Sequence, residues 1–342
     1  MKIPPGHPSR GIALVAAMIA IAVLTFLAAI FWYTMKVESQ LAFNGNSERK
    51  MYWLGISGVE RARWIRAAED VVPNQPYTMH NQFWACGQCS IAESNSAFVG
   101  MSLDNYPVGN DGLVSLKMYD LERKVNINTA NDMQIQQALT LMNVDASKIS
   151  VVSDSILDWI NPGDAPRVAG AKSDYYQGLT PPYFAKNAPI DDMSELLLVK
   201  GIAEDPDIYW GSGASGVSQP KLGFGTAPNK PHDYPFGLKD VFTSISNGKV
   251  NPYTADTNVL AILGMDTATI ETFIQQRDQY PPPDISGLHL SPQMAPQIAQ
   301  RSTTYEVHVT AQYGNSKPRE YVAILFENSP TDIRVVSFYP VN

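Results

Sequence analysis

The feature that most constrains this chain is the stretch Gly11 to Met35, GIALVAAMIAIAVLTFLAAIFWYTM. No residue from Ile12 to Met35 is charged. At the helical rise that run spans roughly 36 Å, enough to cross a hydrocarbon core of about 30 Å. The segment before it carries Lys2, His7 and Arg10 and no acid, and Lys36 and Glu38 follow on the far side. The remainder is too polar to be membranous, since hydrophobic residues make up an ordinary 44% of the 342. One N-terminal apolar helix carrying a soluble body is the expected architecture.

Three readings of the helix compete. A cleaved secretory signal has a shorter apolar region, about 7–15 residues, ending in a small-x-small cleavage site. Here the run is longer and passes straight into Trp32, Tyr33 and a polar helical continuation. A plain signal anchor, its basic leader cytoplasmic by the positive-inside rule, is the second. Third, a short basic leader ending in glycine, then Ile-Ala-Leu-Val and a long apolar helix, resembles a prepilin-type signal. Its peptidase cuts on the cytoplasmic side and leaves the helix in the mature protein. Cleavage after Gly11 would make Ile12 the mature N-terminus. The N-terminus alone leaves anchor and prepilin both open.

The net charge of −8 argues against a nucleic-acid-binding surface, which needs clustered Lys and Arg. It suits an acidic extracytoplasmic body able to hold hard cations. The length allows two domains, each with its own core. The two cysteines, Cys86 and Cys89, form Cys-Gly-Gln-Cys. A thioredoxin-like site would need this motif at a helix N-terminus in a βαβ context. The surrounding Pro73, Asn74, Pro76, Asn81 and Gly87 read instead as a loop, in which a structural disulfide beyond a membrane is the simpler expectation. Two ligands are too few for a metal site.

Helical periodicity continues from Met35 to about Ala68 through Val37, Leu41, Met51, Leu54, Val59, Ala62 and Ile65, with no proline between Pro8 and Pro73. One long helix is predicted, its first half in lipid and its second half on a soluble domain, weakened locally by Gly45, Gly55 and Gly58. Trp53 and Trp64 are expected as core anchors beneath a covering sheet. Between Val71 and Tyr119, short apolar pieces such as Ala97–Val99 and Leu113–Met118, with a turn at 109–112, predict antiparallel strands. The C-terminus alternates cleanly: Tyr305, Val307, Val309 and Ala311 against Glu306, His308 and Thr310, followed by strands at 320–326 and 333–338. Separated strand groups imply an α+β domain interrupted by an insertion at roughly 124–298.

That insertion contains a repeat. Val125-Asn126-Ile127-Asn128-Thr129-Ala130 recurs as Val250-Asn251-Pro252-Tyr253-Thr254-Ala255. Each copy is followed by a helix, a short turn and a second helix, with Thr129 expected as the first N-cap. A third apolar helical segment is expected at Ser194–Gly201, and a Gly/Pro/Ser-rich loop between Asp205 and Pro235. Phosphate-gripping helical hairpins need a Gly-x-Gly turn with basic neighbours. These have acids, Asp145 and Asp266, and read as packing units.

Asp154–Tyr176, DSILDWINPGDAPRVAGAKSDYY, is the best candidate for holding an ion. Asp154 and Asp158 lie one helical turn apart, and Asn161, Asp164 and Asp174 follow in an irregular loop that could supply six to eight oxygens to calcium. The spacing is not an EF-hand, and a solvated loop with Asp154 or Asp164 capping turns is the competing reading. No catalytic set emerges: the histidines, His7, His80, His232, His289 and His308, are scattered, and nothing resembles a nucleophile elbow.

Taken together, the chain resembles the K-type minor pseudopilins of the type II secretion system. The likeness is carried by GIALVAAMIAIAVL behind its basic leader and by the Tyr52-Trp53-Leu54-Gly55 to Trp64 helix. It is carried further by the Asp154–Tyr176 stretch with Ala188-Pro189-Ile190 and SELLLVKGI, and by the paired hairpins with the closing strands. The resemblance implies a pilin-like fold, a long N-terminal helix packed on an antiparallel sheet, with a large all-α insertion. The implied segments are a leader at 1–11, a membrane and filament-core helix at 12–35, pilin-like parts at 36–123 and 299–342, and the insertion at 124–298. It implies processing by a prepilin peptidase, a single pass through the inner membrane with a periplasmic body, and assembly with other minor pseudopilins at the pseudopilus tip. It implies calcium as well, with Asp158, Asp164 and Asp174 as ligands. Most pilin-like proteins carry Glu at the fifth mature position, to pair with a neighbour's N-terminal amine. Counting from Ile12 that position is Ala16, and K-type members characteristically lack the Glu, which suits a capping subunit. The function expected is structural, not enzymatic. Alternatives are a type IV minor pilin, a membrane-anchored DNA-uptake protein or a thiol oxidoreductase. The 205–235 stretch and the cysteine loop do not map onto the family.

Overall fold

A computed structural model describes residues 10–70, 77–87, 98–211, 234–277, 279, 282–285 and 295–341. Helix α1 runs unbroken from Arg10 to Asp70, 61 residues. At about 1.5 Å per residue it is roughly 90 Å long. Residues 13–46 are all exposed, and burial begins at Ser47. Beyond that point α1 lies on a five-stranded antiparallel sheet of order β1-β2-β5-β6-β7. The strands are β1 (Tyr106–Val108), β2 (Gly112–Asp120), β5 (Thr304–Tyr313), β6 (Arg319–Ser329) and β7 (Asp332–Val341).

The period-two pattern read in the sequence is the pattern that packs. Tyr305, Val307, Val309 and Ala311 of β5 and Val114, Leu116 and Met118 of β2 are buried against Met51, Leu54, Val59, Ala62 and Ile65 of α1. Gly55 and Gly58 do more than loosen the helix. A Cβ on Gly58 would fall 2.4 Å from Val309 Cγ1, and one on Gly55 2.8 Å from Tyr321 Cδ2. These glycines let the sheet approach the helix axis. Trp53 and Trp64, expected beneath the sheet, are 66% and 46% exposed. The facing stripe is set by Gly55, Gly58 and Ala62, where an indole has no room, so the tryptophans are displaced to the flanks. Phe98 and Val99, expected in a strand, lie in a bend and a turn, while Ala97 is outside the described residues.

The insertion leaves after β2 and returns at β5, and these strands are hydrogen-bonded neighbours, Asp120 opposite Tyr305 and Gly112 opposite Tyr313. Everything from Leu121 to Thr303 therefore hangs from one hairpin position of the sheet. The intervening helices are α3 (Asp132–Leu141), α4 (Ala146–Ile160), α5 (Ser173–Gln177), α6 (Asp207–Trp210), α7 (Leu238–Val241), α8 (Thr257–Ile262) and α9 (Thr267–Arg277), with α2 (Phe83–Cys86) beside the sheet. They enclose a second core around Ile127, Ile135, Leu139, Ile156, Trp159, Tyr176, Leu238 and Phe242. Ser194–Gly201 is not a full helix; Met193–Leu198 forms a 3-10 turn started by an Asp192/Glu195 capping box.

The repeat is a structural one. Asn126 and Asn251 each accept the backbone N–H two residues on through Oδ1, from Asn128 and from Tyr253. Val125 of β3 (Val125–Asn126) pairs in parallel with Phe242 of β4 (Phe242–Thr243), and Val250 bridges Ile298 in parallel. The following helices end alike, at Asn143 (φ 60°) and Gly264 (φ 85°), with Val144 donating to Leu139 O and Met265 to Leu260 O. Asp145 and Asp266 then accept the backbone N–H of Ser147 and Thr269. The acids open the second helices, which is a packing role. The first N-cap is Asn131, in a capping box with Gln134, and not Thr129 as expected. The first hairpin's leading helix has 10 residues against 6 in the second, about one turn more.

Candidate functional site: the exposed helix, the junction and the acidic loop

Gly11 and Ile12 lie near the start of α1, and the leader before Arg10 is outside the described residues. Ala16 is exposed, as are Leu14, Ile19, Phe26, Phe31 and Trp32, each by half or more of its surface. This part of α1 is the one candidate membrane span among the described residues, with mean hydropathy 2.8 and none of it buried. Such a length of apolar helix facing nothing requires lipid or neighbouring helices. Lys36 sits over the Trp32 ring at 5.3 Å, an arrangement suited to the interface at the end of a span. The chain thus has the form of a membrane-anchored protein.

Where the insertion joins the sheet, two buried carboxylates converge, a feature the sequence reading did not single out. Asp120 Oδ2 accepts hydrogen bonds from Thr254 Oγ1 (2.5 Å), Ser302 Oγ (2.5 Å) and Asn251 Nδ2 (3.3 Å). Glu122 Oε1 accepts from Thr303 N (2.9 Å), Thr303 Oγ1 (2.7 Å) and Thr304 Oγ1 (3.2 Å), while its buried Oε2 has no partner. Burial pushes both carboxyls up, and Glu122 reaches about 7 against the hydroxyl bonds that favour its ionised form. Beside them Arg66 pairs with Glu327 (3.2 Å) and Asp70 (3.4 Å), and Arg301 with Glu327 (3.1 Å). The second repeat's Asn251 and Thr254 belong to this seal, so the repeat phrase is what locks the inserted domain to the pilin-like body.

Residues 161–168 of the acidic loop are all exposed, and the loop does not gather carboxylates. Asp158 is 3% exposed, with Oδ2 accepting the Arg167 N–H (3.0 Å), and Asp154 Oδ2 accepts the Ala169 N–H (3.0 Å). Asp164 and Asp174 are exposed. Among the described residues no three His, Cys, Asp or Glu side chains converge to hold a metal ion. The oxygens at the centre of the loop already have a cation, the Lys172 ammonium, on Asp158 O (2.5 Å), Asn161 O (2.6 Å) and Asn187 Oδ1 (2.9 Å). The expected set Asp158, Asp164 and Asp174 is therefore not brought together by the loop. Its acids were chosen by type, whereas the inward-facing oxygens are mostly backbone. Cys86 ends α2 and is not a free thiol, and Cys89 lies outside the described residues.

A cleft of about 330 Å³ between α1 and the β1–β2 hairpin is lined in part by Gly58, Arg61, Trp64 and Tyr106, with the Arg61 guanidinium 3.4 Å from the Tyr106 ring centroid. Its lining carries no acid–base pair.

Residues 113–206, from β2 through the acidic loop, match the family model of type II secretion system protein K. Over 216 residues the chain is 25% identical to the putative type II secretion system protein K of Escherichia coli, covering 58% of this chain and 60% of that one. It is likewise 25% identical over 211 residues to type II secretion system protein K of Klebsiella pneumoniae, 57% of this chain and 59% of the relative. The matched region thus spans about three fifths of each curated relative. The fold resembles a chain in the crystal structure of the GspK-GspI-GspJ complex from enterotoxigenic Escherichia coli, with TM-score 0.61 and 14% identity over 87% of this chain and 98% of that one. A pilin-like body interrupted by this inserted domain, with a family-model match over residues 113–206, makes the chain similar to the protein K components of type II secretion systems in both sequence and fold.

Proposed function

We propose that this chain is a non-enzymatic minor pseudopilin that initiates or caps the periplasmic pseudopilus of a type II secretion system. The observation that carries the reading is α1: one uninterrupted helix, bare and apolar over residues 13–46 and then packed beneath a sheet. That division allows the same helix to lodge in the inner membrane, with the body in the periplasm, and later to pack among neighbouring helices without refolding the body. Ala16 supplies no carboxylate for a subunit above, and the insertion is too bulky for the interior of a narrow filament, which both favour the tip. Other minor pseudopilins are the partners, and β7 is an open edge on which Val336 (60% exposed) and Tyr339 (49%) are available to them.

The test is N-terminal sequencing of the protein from cells with and without prepilin peptidase. A start at Ile12 that requires the peptidase is expected. An uncut Met1, or a cut beyond the apolar run, would remove the basis of the proposal.

A further inference from the structure

Lys172 is a residue of the acidic loop to which sequence reasoning gave no role. It is 6% exposed, so it is not a surface lysine reaching for water. An ammonium has three N–H donors. Here they meet three oxygens: the backbone carbonyls of Asp158 (2.5 Å) and Asn161 (2.6 Å) and Oδ1 of Asn187 (2.9 Å). Two of these belong to the C-terminal end of α4, where carbonyls lack helical partners and positive charge is favoured. The third comes from beyond α5, on a residue in the left-handed region (φ 51°). Backbone carbonyls and an amide oxygen are the hard donors from which calcium sites are made.

We infer that the Lys172 ammonium is the built-in cation of this loop, seated on the carbonyl set at the end of α4 and tying three pieces of chain together, so that the loop keeps its shape without calcium. The neighbouring groups are arranged to match. Arg167 Nε stands 3.8 Å from Asp158 Oδ1 while the Arg167 backbone N–H bonds Oδ2, so the one buried carboxylate already faces a guanidinium and a backbone donor. Gly170 packs so closely that an added Cβ would fall 1.9 Å from Asp158 Oδ2, which leaves no room for an ion on that side. A divalent ion on the same carbonyls would be held against the Lys172 ammonium, a like-charge contact at short range.

The proposal rests on the loop geometry and not on the pseudopilin reading, so either can fail alone. The experiment is the thermal midpoint of the full chain in detergent micelles, measured in excess chelator and in millimolar calcium. The wild type is expected to give the same Tm in both, whereas a calcium ion bound far above its Kd would raise it by several degrees. Lys172→Met, which keeps the stem and removes the charge, is expected to lower Tm by several degrees because three acceptors lose their donors. Lys172→Asp is expected to be weakened in chelator and to regain stability with calcium, the carbonyl set having acquired a carboxylate and an open centre. A calcium-dependent rise in the wild type that Asp158→Asn abolishes would overturn the proposal. A rise that survives Asp158→Asn comes from elsewhere and leaves the Lys172 variants to decide. Lys172→Met as stable as wild type, or a folded Lys172→Asp indifferent to calcium, would overturn it too. If Lys172→Asp does not fold, the wild-type and Lys172→Met measurements suffice.

Discussion

The carboxyl of Glu122 gives the body an unusual response to pH, which Glu122→Gln isolates. Its pKa rises from 4.5 to about 7, chiefly because burial penalises the charge. In the unfolded chain the group releases its proton near the ordinary value, so between pH 4.5 and about 7 the native state holds a proton that the unfolded state has lost. A raised pKa therefore contributes stability that is complete below 4.5 and is lost as pH rises through about 7. At 1.36 kcal/mol per pH unit, a rise of about 2.5 corresponds to about 3.4 kcal/mol between the ends of that window. Glutamine keeps the carbonyl that accepts from Thr303 and Thr304 and removes the titration. The assay is denaturant unfolding of the full chain at pH 5 and pH 8, followed through tryptophan fluorescence. Other groups also titrate: Asp120 and His308, both raised, act in the same direction, and Glu306, lowered beside His308, acts in the opposite one. The informative quantity is therefore the difference between wild type and variant. The variant should gain on the wild type by about 2.5 kcal/mol on passing from pH 5 to pH 8, since part of the window lies below pH 5. A difference independent of pH, or one of opposite sign, would refute the reasoning.

Three further outcomes are expected. Gly58→Ala should destabilise the body by about 1–3 kcal/mol, because its Cβ would press on Val309 Cγ1, whereas Gly45→Ala, with nothing within 4 Å, should not; chemical denaturation of both separates packing from propensity. Arg66→Met should cost about 3–5 kcal/mol by stranding Glu327 and Asp70 in a buried site, and adding Glu327→Gln should recover part of it in a double-mutant cycle. Ala16→Glu should leave secretion no better in a complementation assay, and a gain of secretion would count against the tip position.

Much of the fold could be read from side-chain period and phrase repetition, and the failures share a cause. The β5 alternation is visible because large apolar residues mark the buried face of a strand. The repeated Val-Asn phrase is visible because each Asn must close the same turn. On α1 the buried stripe is instead marked by what is small, Gly55, Gly58 and Ala62, so reasoning from large residues misplaced Trp53 and Trp64. The acidic loop is legible only in part. Aspartates suggest a metal, yet the oxygens that face inward are mainly backbone carbonyls, which no residue type advertises, and their partner is a lysine that composition would leave in water. The junction was hidden because Asp120 and Glu122 acquire meaning only beside Thr254 and Ser302–Thr304, more than a hundred residues away in the chain.

That β2 and β5 are adjacent across the whole insertion has a consequence for the order in which the molecule can form. The contacts that close the body join residues near 115 to residues near 310, the slowest kind of pairing for a chain to find. The inserted domain, with its own core and its local hairpins, can fold before they meet, and in doing so draws Glu122 and Thr303 together and shortens the effective loop. Until β5, β6 and β7 arrive, the Met51–Ile65 face of α1 stays open to water or to other helices. The C-terminal strands therefore close the body, and a chain truncated before Thr304 is expected to keep its inserted domain while losing the body to which α1 is attached.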